Sequence, residues 1–121
     1  MNISSADRTS PTPDVPRSTD EQPATLAERF ETYDEAHPEV YATLKALAFE
    51  WKRRTGRHRL GIAALFERAR WELSLQTGET PSLNNDYRSF YARKLMRDEP
   101  ALEGMFELRR SAADAWMGDA A

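Results

Sequence analysis

Residues 38–56 read PEVYATLKALAFEWKRRTG, and this stretch decides the fold class. Its apolar residues recur at intervals of four, three and four positions, which places them on one face of an α-helix: Val40, Leu44, Leu47 and Trp51. Pro38 suits the first turn of that helix, where its missing N–H is not needed. Gly56 supplies the left-handed residue that stops it. We therefore predict a long amphipathic helix over this stretch.

A shorter helix is predicted before this stretch. Thr25 and Glu28 have the spacing of a capping box, in which each residue satisfies a backbone N–H of the other. The dipeptide His37-Pro38 interrupts the helix, because a residue that precedes proline is pushed out of the α region. The first helix is thus expected between residues 25 and 37.

Two further helices are predicted after it. The third has a core-facing pattern that ends before Gly78 and consists of Ile62, Leu65, Phe66, Ala69 and Leu73. Asn84, Asn85 or Asp86 offers the N-cap of the fourth. Its expected buried face consists of Tyr87, Phe90, Tyr91 and Leu95.

The C-terminal part predicts a fifth helix over residues 102–109, in preference to a short strand over 105–108. Strand signals are otherwise nearly absent. The fold class is thus an all-α domain over 25–117, a compact bundle of four or five helices that can be helix-turn-helix-like. Residues 1–24 hold four prolines and few apolar residues, which predicts a disordered tail, and residues 118–121 are expected to fray.

The composition of the 121 residues excludes several function classes. Cysteine is absent, and the two histidines lie in different connectors without metal-ligand spacing. The five glycines are scattered and form no phosphate-binding loop. We therefore expect no catalytic residue, no metal and no cofactor, and hence no enzyme. Neither a membrane span nor a secretory signal is present in the sequence, which predicts a cytoplasmic protein without a membrane partner.

Charge is strongly segregated along the chain. Residues 1–49 carry a net charge of -5, residues 50–97 carry +6, and residues 98–121 carry -4, against -3 for the whole. A basic middle block between acidic flanks makes anionic partners plausible, because local potential matters more than the total charge.

The basic middle block predicts a nucleic-acid-binding surface. Arginine dominates it, and a guanidinium pairs with phosphate in a bidentate way. Asn85 is expected to reach a base edge, and the predicted phosphate contacts are Arg53, Arg54, Arg57, Arg59, Arg88, Arg93 and Lys94. A helix-turn-helix needs a turn of about 3–4 residues, and the segment 76–83 is longer than that.

Two alternatives stay open. The charges can be solvated, or neutralised by acidic flanks that fold back onto them. The chain can also be a non-enzymatic protein-interaction module, such as a phage-type inhibitor or adaptor of a host protein, or form a homodimer. Trp71 lies two positions off the apolar stripe of the third helix, which predicts a wider buried face in preference to a partner-facing tryptophan.

One set of short motifs carries a resemblance. It consists of HPEV at 37–40, RW at 70–71, NNDY at 84–87, YAR at 91–93, Pro100 and FELR at 106–109. In these motifs the chain resembles a group of small uncharacterised proteins of bacteriophages, prophages and bacterial chromosomes, actinobacteria included. The resemblance implies a bacterial or phage protein that acts in the cytoplasm, and it assigns no role to any residue. Within the chain, these motifs are expected to hold the third and fourth helices together, and Arg70 is expected to pair with Glu67, Glu72 or a distant carboxylate.

Overall fold

The computed structural model describes residues 23–79, 82–108, 113, 114 and 116. In these ranges four α-helices have defined bounds: α1 (Leu26–Ala36), α2 (Pro38–Thr55), α3 (Ile62–Thr77) and α4 (Arg88–Asp98). Residues 113, 114 and 116 are also helical. Two short 3₁₀ turns, Asn85–Tyr87 and Pro100–Leu102, flank α4. The described part of the chain contains no β-strand, so the predicted all-α fold is confirmed. The predicted tail, except for residues 23 and 24, and the predicted frayed end at 118–121 lie outside the described residues.

The helix ends follow from local chemistry. The Thr25 hydroxyl accepts a hydrogen bond from the Glu28 N–H at 3.1 Å, and the Thr25 N–H donates to the Glu28 carboxylate at 2.9 Å. The predicted capping box is therefore present. Pro38 is the first residue of α2, and only His37 separates it from the end of α1. Gly56 stops α2 with a φ of +70°, a conformation that costs a residue with a Cβ atom more than it costs glycine.

Aromatic rings fill the space between α1 and α4. Phe30 of α1 is buried, and its ring centroid lies 4.8–5.8 Å from those of Tyr87, Phe90, Tyr91 and Trp116. In α2 the fully buried positions are Val40, Leu44 and Ala48, whereas the predicted core residues Leu47 and Trp51 are only partly buried. Leu65, Phe66, Ala69 and Leu73 of α3 are buried as predicted.

The predicted fifth helix over 102–109 is wrong for the described residues. The Pro100–Leu102 turn is followed by Gly104 with a φ of +79°, which turns the chain, and residues 105–108 are neither helix nor strand. Leu102, Met105 and Phe106 are nevertheless buried. Their apolar spacing therefore reflects the burial of an irregular turn. Residue 109, the last of the predicted helix, lies outside the described residues.

The Tyr91 hydroxyl leads to a first prediction. Among the described residues it is the buried side-chain polar atom without a hydrogen-bond partner. Burial of such an atom destabilises the fold, because the hydrogen bonds it loses to water are not replaced. We expect Tyr91→Phe to raise the free energy of unfolding by about 1 kcal/mol. Urea unfolding followed by circular dichroism measures this, and a loss of stability in the variant would show that the hydroxyl is bonded in solution.

Candidate nucleic-acid interface

The candidate interface lies at the C-terminal end of α2 and in the connector that follows it. We call its five cations the basic cluster: Lys52, Arg53, Arg54, Arg57 and Arg59. The first three stand in the last turn of α2, where cations are stabilised by the partial negative charge of the helix C-terminus. The helix C-terminus therefore explains why these three cations stand there. The same position lies beside the turn made by Gly56.

The connector is pinned to the chain segment after α4. The Lys52 ammonium donates to the carbonyl oxygen of Ala101 at 2.5 Å, and the Leu60 N–H donates to that of Met105 at 3.1 Å. His58 Nε2 lies 2.5 Å from the carbonyl oxygen of Glu103, which requires that nitrogen to carry the proton. These three contacts hold the backbone around Arg57 and Arg59 in place.

Arg53, Arg57 and Arg59 are exposed and have no ion-pair partner within the described part of the chain. Arg54 pairs with Glu50 one turn earlier at 3.0 Å. Exposed pairs of this kind contribute only about 0.3–0.5 kcal/mol, so Arg54 can exchange Glu50 for a phosphate at little cost. Four guanidinium groups of the basic cluster are therefore accessible to an anion.

The other cations of the middle block are largely neutralised. Arg68 and Arg97 lie within 3.0 Å of carboxylates, and further carboxylate pairs are Arg70–Glu67, Arg93–Asp114 and Lys94–Asp34. Asp34 belongs to the acidic N-terminal block and Asp114 to the acidic C-terminal block. The expectation that acidic flanks fold back therefore applies to α4, and none of the described flank residues pairs with Arg53, Arg57 or Arg59 of the basic cluster.

Contrary to the prediction that they contact phosphate, Arg93 and Lys94 do not lie on an exposed basic face. Arg93 is only 6% exposed and donates to the carbonyl oxygen of Ser89 at 3.2 Å and to Asp114. The Lys94 ammonium pairs with Asp34 and lies 4.4 Å from the centre of the Tyr41 ring. Because the core surrounds most of α4, these two cations are held by acids from other segments of the chain.

Asn85 is part of a structural link between α3 and α4. The Arg70 guanidinium donates to the carbonyl oxygen of Leu83 at 2.8 Å and to the Asn85 side-chain oxygen at 2.6 Å. These contacts connect α3 to the NNDY motif, and Arg70 also pairs with its expected acidic neighbour Glu67. The contact between Arg70 and Asn85 occupies the oxygen with which Asn85 would read a base. The helix-turn-helix-like alternative lacks its short turn, because α3 ends at Thr77 and the 3₁₀ turn begins only at Asn85.

Arg88 lies beside the start of α3. It lines a surface depression together with Gly61 and Ile62, and Glu107 stands at the same depression. Gly61 precedes α3 and has no side chain, so the cap residue itself accepts no hydrogen bond from the first N–H groups of the helix. The partial positive charge of a helix N-terminus favours anions. Gly61, the N-cap of α3, lies two residues after Arg59. Trp71, in contrast to its predicted burial, is 61% exposed on α3.

The end of α4 provides a pH-dependent contribution to stability. Burial raises the pKa of Asp98, but the hydrogen bond from Arg97 at 2.8 Å and the charges of Arg97 and Lys94 outweigh it, so the pKa lies below its ordinary value of 3.8. The nearby Tyr41 hydroxyl, 3.4 Å from Asp98, has its pKa raised by burial and by this carboxylate.

A lowered carboxyl pKa stabilises the fold above the ordinary pKa and loses this effect as the pH falls through the folded-state value. We therefore expect Asp98→Asn to be less stable than the parent at neutral pH and to differ little from it near pH 2. Urea unfolding between these pH values measures the difference. A constant difference at every pH would assign the effect of Asp98 to shape rather than to charge.

The described residues hold no group of three or more histidines, cysteines and acids placed to bind a metal ion. In the same part of the chain, no helix combines the length and the apolar character that crossing a bilayer requires. No family model, curated protein or solved structure matches the chain.

Proposed function

We propose that this chain is a nucleic-acid-binding protein, cytoplasmic and of bacterial or phage origin, which contacts the phosphate backbone through the basic cluster. The observation that carries the proposal is the contrast in pairing. Among the residues that the structure describes, Arg53, Arg57 and Arg59 are exposed and have no carboxylate partner. Carboxylate partners are present for Lys45, Arg68, Arg70, Arg93, Lys94 and Arg97. Unpaired arginines within seven residues favour a ligand that carries regularly spaced negative charges.

The residue types at the cluster fit phosphate better than they fit a carboxylate-rich protein surface. Arginine forms two parallel hydrogen bonds to phosphate and is always charged. The uncapped start of α3 and Arg88 extend the positive potential beyond Arg59. Since Asn85 is occupied by Arg70, backbone contacts dominate and base readout contributes little.

A salt titration tests the proposal directly. Binding of the full chain to a labelled random duplex and to a labelled single strand is followed by fluorescence anisotropy. Four arginines at phosphates predict that the logarithm of the duplex association constant falls with the logarithm of salt concentration with a slope of about -3.6. Absence of binding at low salt, or binding that is insensitive to salt, would contradict the proposal.

A further inference from the structure

The outer face of α3 carries two large apolar side chains in solvent. Trp71 is 61% exposed and Leu75 is 67% exposed. They lie on one helical face with Ala64 and Arg68, because positions 64, 68, 71 and 75 follow intervals of four, three and four residues. This is the spacing with which one helix packs along another.

A groove opens on the same face at the other end of α3. It runs between the end of α2 and the start of α3 and has a cavity volume of 350 Å³. Apolar side chains form most of its lining: Leu47, Trp51, Leu60, Ala64 and Leu65. Ala64 leaves the groove open because its side chain is a single methyl group. The face therefore has projecting side chains at its C-terminal end and a recess at its N-terminal end.

We propose that a second copy of this chain covers this face, with the two α3 helices packed antiparallel about a two-fold axis. The axis passes between Arg68 and Trp71, the centre of the stripe. Leu75 of each copy then lies opposite Ala64 of the other and enters the groove between α2 and α3. Because the arrangement is symmetric, both projections and both recesses are used.

The charges of the face also favour a second copy. Its polar rim holds two acids and two bases: Glu50, Arg54, Arg68 and Glu72. Charges that are balanced within ion pairs do not favour a strongly charged peptide, and they allow the same face of a second copy to approach without net repulsion. In the antiparallel register Arg68 faces Trp71 of the other copy, and a guanidinium over an indole ring is the preferred cation–π pair.

The absence of cysteine allows a test of the register. Ala64→Cys and Leu75→Cys chains are prepared separately, and each is oxidised alone and after mixing. Positions 64 and 75 meet across the proposed interface, whereas identical positions lie about 16 Å apart along the antiparallel helices, beyond the reach of a disulfide. We expect a disulfide-linked dimer mainly in the mixture. Equal cross-linking in the single samples, or none in the mixture, would overturn the proposal.

Sedimentation equilibrium provides the second test. We expect the full chain to change from monomer to dimer between about 1 µM and 1 mM, as a moderate-sized interface does. Leu75→Glu is expected to stay monomeric, because it brings a carboxylate into an apolar groove. Leu108→Glu is the matched control, since Leu108 is a 45% exposed leucine that does not line this groove. It is expected to dimerise normally.

The proposal is overturned if the parent chain stays monomeric at every concentration. It is also overturned if the Leu75→Glu variant dimerises as well as the parent chain. Capture of a host protein by the monomer through Trp71 overturns it as well, because the face then has a different occupant. The test does not depend on nucleic-acid binding: dimerisation is measured without DNA, and the basic cluster is unchanged in every variant.

Discussion

Replacing Arg53, Arg57 and Arg59 by glutamine is expected to weaken duplex binding about 500-fold at 0.1 M salt. The estimate follows from counterion release. Each phosphate contact contributes about 0.9 to the slope of log K against log salt, so three lost contacts reduce the slope by about 2.7. All three side chains are exposed and without an ion-pair partner among the described residues, so their loss leaves no buried carboxylate behind. The variant is therefore expected to fold normally. Anisotropy titrations at several salt concentrations measure both quantities.

A matched variant shows whether duplex binding depends on where the positive charges lie or only on how many there are. Arg29→Gln, Lys45→Gln and Arg97→Gln together also remove three positive charges, but these residues stand on α1, α2 and α4 outside the basic cluster. Lys45 and Arg97 are already paired with Glu99 and Asp98. We expect this variant to keep most of its affinity and nearly the full salt slope. An equal loss in both variants would mean that net charge, and not the basic cluster, determines binding.

The helix boundaries were predictable because they depend on neighbouring residues. The capping box joins residues 25 and 28, Pro38 acts on its own turn, and Gly56 ends α2 by its own φ angle. The predicted fifth helix failed where local spacing was ambiguous. Leu102, Met105 and Phe106 are apolar at helical intervals, but Gly104 turns the chain between them. Burial alone produces the same spacing in an irregular segment.

The accessibility of the cations was not predictable in the same way. Lys94 pairs with Asp34, 60 positions earlier, and Arg93 with Asp114, 21 positions later. Arg57 and Arg59 have comparable sequence surroundings but meet no carboxylate among the described residues. Partners at such separations are fixed by the packing of α1 and of the residues around 114 against α4. The exposure of Trp71 was not predictable either, because it also depends on tertiary packing. No helix with defined bounds in the described part of the chain covers Trp71 on α3.

Phe30→Ala is expected to lower the free energy of unfolding by about 3–5 kcal/mol. The ring is 1% exposed, and it contacts four aromatic residues that belong to α4, its 3₁₀ turn and the region of Trp116. Truncation removes the apolar contact area and leaves a cavity that rigid aromatic neighbours fill poorly. A small domain has only about 5–15 kcal/mol in total, so the loss is a large fraction of its stability. Urea unfolding of both chains measures it.

The same variant shows whether α1 is an integral part of the bundle. α1 has 11 residues, too few for a stable isolated helix in water, so it stays helical only while Phe30 is packed. Its docking also brings Asp34 to Lys94. If α1 and α4 form one cooperative unit, tryptophan fluorescence and helical circular dichroism of Phe30→Ala change together along the urea titration. A separate early transition, or a loss below about 1.5 kcal/mol, would instead show that α1 detaches from a bundle that is stable without it. Leu108→Ala, a leucine truncation at an exposed site outside the proposed dimer face, is expected to change stability by less than about 0.5 kcal/mol.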